Sequence, residues 1–399
     1  MYKVDNYING KSCSISTQSS PIINPSYGRE IGEVHYATTE SANLAVESAY
    51  EAAKSWSKTG LTYRAELILK FRQSVIDRSS KIIDICINEA GKTRPDSEAE
   101  LDRAVQALTH VAGIQHFYPT HFSQNVAGGI DIADLRFPIG VVAGVGPFNF
   151  PILIPILHSS MALVTGNTYI AKPSEKVPSI SRLYADIYED IGLPNGCFNV
   201  INGNKEIVEL LVRHEKVNGL AFIGSTAAAK SLKILGVEHN TKVQALGGGK
   251  NHMIVLPDAD LDMSADAAVS ASFGAAGQRC MAVSVVVAVG DVADELLNKI
   301  KERMPSLVMG VTDDDETQLG PVISQENKDK IYSFIDSAEP DGATLVVDGR
   351  IRSNSLEGCF VGPTLIDNVK PGMAVYENEI FGPVLSFVRA DTYDEAMKI

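Results

Sequence analysis

Short apolar runs separated by tracts of helical spacing constrain the fold of this chain most. The runs are Gly140-Val-Val-Ala-Gly-Val145, Thr168-Tyr-Ile-Ala171, Cys197-Phe-Asn-Val-Ile201, Leu220-Ala-Phe-Ile223 and Met253-Ile-Val-Leu256. Most lead into turn residues and then helical sequence. Continuous apolar runs, as opposed to alternation, mark strands buried on both faces, and such strands need crossover helices. The pattern therefore predicts an α/β fold with a doubly wound parallel sheet. Ahead of these runs, Ala42, Ala45, Ala49, Ala52 and Trp56 keep helical spacing behind a cap at Thr38 or Thr39, and a second helical tract starts near Thr62 with a break at Ser79-Ser80.

In open parallel sheets, ligands bind beyond the carboxyl ends of the strands. There the chain places Gly146-Pro-Phe-Asn149-Phe-Pro151, Lys172-Pro-Ser-Glu175 and Gly224-Ser225-Thr226. All three are expected to converge on one ligand. Gly224-Ser225-Thr226 would offer backbone N–H groups and a hydroxyl at a helix N-terminus, an anion site suited to a pyrophosphate, while Lys172 and Glu175 would hold ribose hydroxyls. A plain helix cap is the alternative at Ser225, since no Gly-x-Gly-x-x-Gly fingerprint follows any strand.

Further along, Phe273-Gly-Ala-Ala-Gly-Gln-Arg-Cys280 sets a cysteine after small residues and a cation, just before a strand. Glycine and alanine let backbone approach a ligand, and the Arg279 charge would favour thiolate over thiol. A buried structural cysteine is the competing reading. Gln244-Ala-Leu-Gly-Gly-Gly-Lys250-Asn-His252 is a second glycine-rich turn, serving the reaction or only turning the chain between domains. Pro257-Asp-Ala-Asp-Leu-Asp262 reads as a solvated helix start and not a metal site. Neither a His-Glu-x-x-His pair nor a Gly-x-Ser-x-Gly elbow occurs, which leaves cysteine as the strong nucleophile; a protease-like pairing with His252 stays open.

The formal net charge of −14 and the lack of a basic run argue against nucleic acid or an anionic membrane as partner. The five cysteines show no Cys-x-x-Cys spacing, which fits a reducing compartment and no metal. With a polar start lacking signal-peptide order, a cytoplasmic location is expected. Phe148 to Val164, the most apolar stretch, carries Pro151 and Pro155 and is expected to be a buried core helix, too short and broken to cross a bilayer.

Taken together, Phe148-Asn149-Phe-Pro151, Lys172-Pro-Ser-Glu175, Gly224-Ser225-Thr226, Gly277-Gln-Arg-Cys280 and Glu379-Ile-Phe381-Gly-Pro-Val384, in this order, resemble the NAD-dependent aldehyde dehydrogenase superfamily across essentially the whole chain. Gly277-Gln-Arg-Cys-Met-Ala282, Gln244 to His252 and Pro257-Asp-Ala-Asp260 are most similar to its coenzyme A-acylating methylmalonate-semialdehyde dehydrogenase branch. The resemblance implies an NAD-binding domain over 1–123 and 139–246, a partial oligomerisation hairpin over 124–138, and an α/β catalytic domain over 247–399.

It also implies roles. Cys280 attacks the aldehyde, and the Asn149 amide with the Cys280 backbone N–H holds the oxyanion. Lys172 and Glu175 hold the adenosine ribose, Ser225 meets the pyrophosphate, Glu379 meets the nicotinamide ribose, and Phe381 packs near the nicotinamide ring, with Phe148 and Gly224 in the same cofactor-binding set. Hydrolytic relatives carry a glutamate where this chain has Ala245, so coenzyme A replaces water as the implied acceptor. A methylmalonate or malonate semialdehyde would lose carbon dioxide, yielding propionyl-CoA or acetyl-CoA. Arg103 and Arg279 are candidates for a substrate carboxylate. Glu175 disfavours a 2′-phosphate, hence NAD over NADP.

The resemblance further implies a homodimer or homotetramer. The end at Ile399 reads as a helix start without a stop signal, so a truncated chain is expected, and with it the alternative of an inactive relative that binds only cofactor or partners; within the enzyme class the alternative is a hydrolytic NAD(P)-dependent enzyme using another base such as Glu238.

Overall fold

A computed structural model describes every residue except Thr17, Pro119 and Asn354. The chain divides into two compact units, one of residues 1–22, 31–85 and 98–247 and the other of residues 23–30, 86–97 and 248–399.

The first unit is built on a seven-stranded sheet. Its five parallel strands run in the spatial order Lys242–Leu246, Val217–Ile223, Val141–Val145, Thr168–Lys172 and Phe198–Val200, and the short antiparallel strands Asn6–Ile8 and Lys11–Cys13 extend one edge. The chain thus starts in the middle at Val141–Val145, winds outward to one side, then returns to wind the other way, which is the doubly wound topology expected from the apolar runs.

Alternating residues explain why both faces are covered. Val141, Ala143, Val145 and Ile170 pack with Ala42, Ala45, Val46 and Ala49 of the helix Thr39–Trp56, and with the apolar sides of the helices Lys205–Arg213 and Thr226–Glu238. On the sequence-alternate positions, Tyr169 stacks on Phe198, and Tyr188 bridges Phe198 to Phe71 of the helix Leu61–Asp77. Burying such side chains contributes about 1.5–3 kcal/mol apiece. Thr38 caps the first helix through Ser41 in a reciprocal box, as its position suggested.

The apolar segment 148–164 is helical only from Leu153 to Val164. Phe148 to Ile152 instead forms a bend and turn, and Pro155 is tolerated because it sits in the first helical turn, where backbone N–H groups have no intrahelical partner. At the other end, Trp56 Nε1 and Arg64 Nε donate to the Leu163 and Val164 carbonyls at 3.1 and 2.8 Å. The strands Phe122–Ala127 and Ile130–Ala133 form a separate antiparallel hairpin with every residue exposed.

The second unit holds a five-stranded sheet in the order Asn251–Val255, Val283–Val289, Val384–Ala390, Thr364–Asp367 and Thr344–Val347, parallel except for the last strand. In the second strand of that order, Val285, Val287 and Val289 face one apolar cluster while Val286 and Ala288 face another. The second cluster is closed by the helices Leu261–Phe273 and Ala293–Arg303. Asp260 caps the first of these, accepting from Asp262 and Met263 N–H at 3.0 Å, so Pro257 to Asp262 is a helix start. Among the described residues, no helix is long and apolar enough to cross a membrane.

Candidate active site

In the first unit, the winding reverses between Val141–Val145 and Val217–Ile223, and a crevice beyond the carboxyl ends of such a strand pair is where ligands bind in this architecture. The three polar segments singled out in the sequence leave from this edge. Strand pairing persists right up to them: Gly146 N–H donates to the Lys172 carbonyl at 3.0 Å, and Gly224 N–H to the Leu246 carbonyl at 3.1 Å.

Phe148 and Asn149 lie half-buried in the bend that follows. The bend is anchored by a residue the sequence did not reveal: Glu100 Oε1 accepts from Ile152 and Leu153 N–H, both at 2.8 Å, placing a carboxylate at a helix N-terminus.

Ser225 is the cap of the helix Thr226–Glu238, its hydroxyl accepting from Ala228 N–H at 3.4 Å. The cap reading therefore holds, and because residues 225–227 are exposed, the same helix end remains open to an anion. Lys172 is nearly buried, with its Nζ 3.6 Å from Glu175 Oε2, and burial holds its ammonium below the usual lysine range. Glu175 remains partly exposed beside it.

Ala245 is half-buried with its side chain against the apolar cluster, next to Val243. Glu238 closes the same helix that Ser225 opens, so about 18 Å of helix separates it from the cap, at the wrong edge of the sheet for a base. Arg103 is exposed and donates to Gln106 Oε1 at 3.1 Å.

Cys280 of the second unit is exposed, whereas Cys86 and Cys359 of that unit and Cys197 of the first are buried. The structural-cysteine reading thus fits those three; burial pushes the Cys197 thiol up to about 12. Cys280 follows the turn Gly274–Gly277, in which Ala275, Ala276 and Gly277 all adopt left-handed conformations, with φ of 51°, 52° and 67°. Each alanine so placed costs about 1–2 kcal/mol, so the surroundings must hold the turn.

They do so from several sides. Asp96 Oδ2 accepts from Ala275 N–H at 3.1 Å, while its other oxygen takes the Arg279 guanidinium. Gln278 Oε1 accepts from Ile323 N–H at 3.0 Å. Asn251 Nδ2 donates to the carbonyls of Cys280 and Ala282 at 2.9 and 2.8 Å. Arg279 therefore does not present the uncompensated charge beside Cys280 that the sequence suggested, because a carboxylate from a distant part of the chain neutralises it.

The second glycine-rich turn does more than pass the chain from one unit to the other. A β-carbon at Gly248 would lie 1.8 Å from Glu379 Oε2, so any larger residue would displace that carboxylate from where it sits. Burial pushes the Glu379 carboxyl up from its usual range, opposed by the Gly249 N–H and by Lys250. Lys250 Nζ in turn donates to the carbonyls of Val375 and Asn378, both at 2.8 Å, tying down the segment before Glu379. His252 Nδ1 is bonded to the Lys250 carbonyl at 2.8 Å. Lys250, Asn251, Gly277, Arg279, Glu379 and Phe381 line one small cavity.

Burial lowers the Lys250 ammonium to about 8, below its value in the unfolded chain. Between pH 8 and about 10.5 the unfolded chain then binds the extra proton, so this group makes stability rise with pH across that window. Urea unfolding at pH 7.5 and 9.5 is expected to show a smaller rise for Lys250→Met than for the parent.

Phe381 is also left-handed, at φ 57°, and Gly277 packs on the backbone just after it, where a β-carbon would come within 2.2 Å of the Gly382 carbonyl oxygen. Gly277→Ala combines that clash with a disfavoured φ. A loss of about 1–3 kcal/mol is expected in urea unfolding, together with slower modification of Cys280 by iodoacetamide.

With a doubly wound unit open at its switch point and an exposed cysteine braced in a strained turn, the chain belongs to the aldehyde dehydrogenase family, whose model matches residues 13–399. Among curated relatives, it is 38% identical over 396 residues to a malonate-semialdehyde dehydrogenase of Bacillus pumilus (strain SAFR-032), an alignment covering 99% of this chain and 82% of the relative. Among solved structures, a methylmalonate-semialdehyde dehydrogenase from Oceanimonas doudoroffii superposes with a TM-score of 0.97 at 39% identity, covering 100% of this chain and 82% of that one. A protein of Sinorhizobium meliloti 1021, assigned as a methylmalonate-semialdehyde dehydrogenase and complexed with NAD, superposes with a TM-score of 0.96 at 39% identity over the same shares.

Proposed function

We propose that this aldehyde dehydrogenase oxidises a carboxylate-bearing semialdehyde with NAD and passes the acyl group to coenzyme A. The observation that carries the chemistry is the exposed Cys280 at the end of a braced left-handed turn, an arrangement whose strain has a purpose only if that thiol reacts.

The cofactor reading is supported by the open switch point, the exposed helix end at Ser225 and the Lys172–Glu175 pair. Ser225 and the first-turn N–H groups would hold the pyrophosphate, Lys172 and Glu175 the adenosine ribose, and Glu379 and Phe381 the nicotinamide end. The Glu175 carboxylate would repel a 2′-phosphate, which favours NAD over NADP. NAD, when bound, supplies the hydride acceptor.

In this reading, Cys280 adds as thiolate to the aldehyde carbon, and Asn149 with the Cys280 N–H stabilises the oxygen charge. Once the carbon is oxidised, Cys280 carries the acyl group as a thioester. Ala245 has no proton-accepting group to activate water, and Glu238 lies at the far end of its helix, so a thiol nucleophile is the natural acceptor. The names of the similar proteins support malonate or methylmalonate semialdehyde as substrate; the candidate carboxylate partners are Arg103 and the guanidinium N–H groups of Arg279 that Asp96 does not take. We place self-association at the exposed hairpin that carries Phe122, Ile130 and Ile132.

Steady-state NADH formation with malonate semialdehyde and with methylmalonate semialdehyde, each against propanal, tests the substrate class. A kcat/KM at least about tenfold higher for the acids is expected from one desolvated carboxylate contact. Equal values would remove the carboxylate from the reading.

A further inference from the structure

The nucleophile turn is held by a residue that no motif marks. Asp96 lies in the first turn of the helix Arg94–Ala112, is largely buried, and uses one oxygen for the Ala275 N–H and the other for the Arg279 guanidinium. These two contacts bracket the left-handed residues Ala275, Ala276 and Gly277 from either end. Ala276 is buried in the apolar cluster and Gly277 is pressed on the Gly382 carbonyl, so packing holds the middle of the turn, while the carboxylate reaches both of its ends and works beside the Gln278 N–H bond to the Ala275 carbonyl at 3.0 Å. Gly274 completes the arrangement, since a β-carbon there would meet the Arg279 guanidinium at 2.8 Å.

We propose that Asp96 is the positioning residue of the nucleophile: by clamping Ala275 and Arg279 it keeps the strained turn closed and so fixes where Cys280 points. The inference rests on the reading of Cys280 as nucleophile. Asp96 touches neither substrate nor cofactor in this account; it acts through the turn. Its second oxygen also matters, because an aspartate satisfies the guanidinium and the backbone N–H together, whereas an asparagine that accepts from Ala275 turns its amide N–H2 toward Arg279 and leaves the guanidinium without an acceptor there.

The test compares the parent with Asp96→Ala and Asp96→Asn. Alkylation of Cys280 by iodoacetamide is followed by peptide mass spectrometry across a range of pH, so that the plateau rate reports access and aim while the midpoint reports thiolate formation. kcat and KM for propanal are measured alongside, with circular dichroism and thermal melting to establish folding.

For Asp96→Ala, the plateau rate and kcat are expected to fall about tenfold or more, with KM for propanal within about threefold of the parent. Asp96→Asn, which keeps the Ala275 contact and loses the Arg279 one, is expected to fall between Asp96→Ala and the parent. A general structural role would lower the melting temperature and leave the plateau unchanged. That result, or an Asp96→Ala protein with parental alkylation and kcat, overturns the proposal.

Should Asp96→Ala fail to fold, Arg279→Gln opens the clamp from the other side, and an unchanged plateau there also overturns it. Alkylation needs no substrate, so the two readings can fail separately. An intact clamp effect in a protein without aldehyde activity would sink the proposed function alone.

Discussion

Cys280→Ser is expected to abolish aldehyde-dependent NADH formation, lowering kcat by at least about a thousandfold, because a serine hydroxyl without a nearby base is a far poorer nucleophile than a thiolate. Cys280 is exposed, and its carbonyl, not its side chain, is the group held by Asn251, so the substitution should leave the fold intact and shift stability by no more than about 0.5 kcal/mol. Rapid-mixing measurement of NADH in the presence of saturating semialdehyde reads the loss of turnover, and urea unfolding reads the stability. Retention of turnover by the serine variant would end the covalent reading, whatever the comparison with known proteins.

Omission of coenzyme A should be nearly as severe for turnover while sparing the first half of the reaction. A burst of NADH equal to the active Cys280 thiols is expected, followed by a steady rate at least about a hundredfold below that with coenzyme A, since a positioned base contributes about that much and Ala245 cannot be one. The acylated Cys280 should accumulate and be visible by mass spectrometry of the intact chain. A steady rate indifferent to coenzyme A would mean that water is activated by a group other than those described.

Much of the scaffold was legible because its determinants are local. Val141–Val145, Thr168–Lys172 and Val283–Val289 are buried on both faces, and that burial forces continuous apolar composition at the level of a few residues. Caps at Thr38 and Ser225, and the helix start that Asp260 caps, were readable for the same reason: a cap bonds to an N–H two or three positions away. The helix start at Leu153 was less clear, since apolar composition runs unbroken through the bend before it.

The groups that brace the site were hidden because their partners are remote. Asp96 and Arg279 are 183 positions apart, and Glu100 reaches Ile152 across 52. Arg279 shows the consequence most plainly. Its neighbours in sequence suggested a free cation beside the thiol, and only the folded chain brings in the carboxylate that cancels it.

Gly277 and Gly382 meet backbone to backbone, and at the second a β-carbon would come within 2.5 Å of Ile331. A side chain at 277 is barred by backbone, whereas one at 382 meets the end of a side chain that can repack. A homologue with a bulkier residue at 277 would have to reroute the segment around 382, so engineering that transplants the nucleophile turn from another protein will succeed only when its counterpart travels with it.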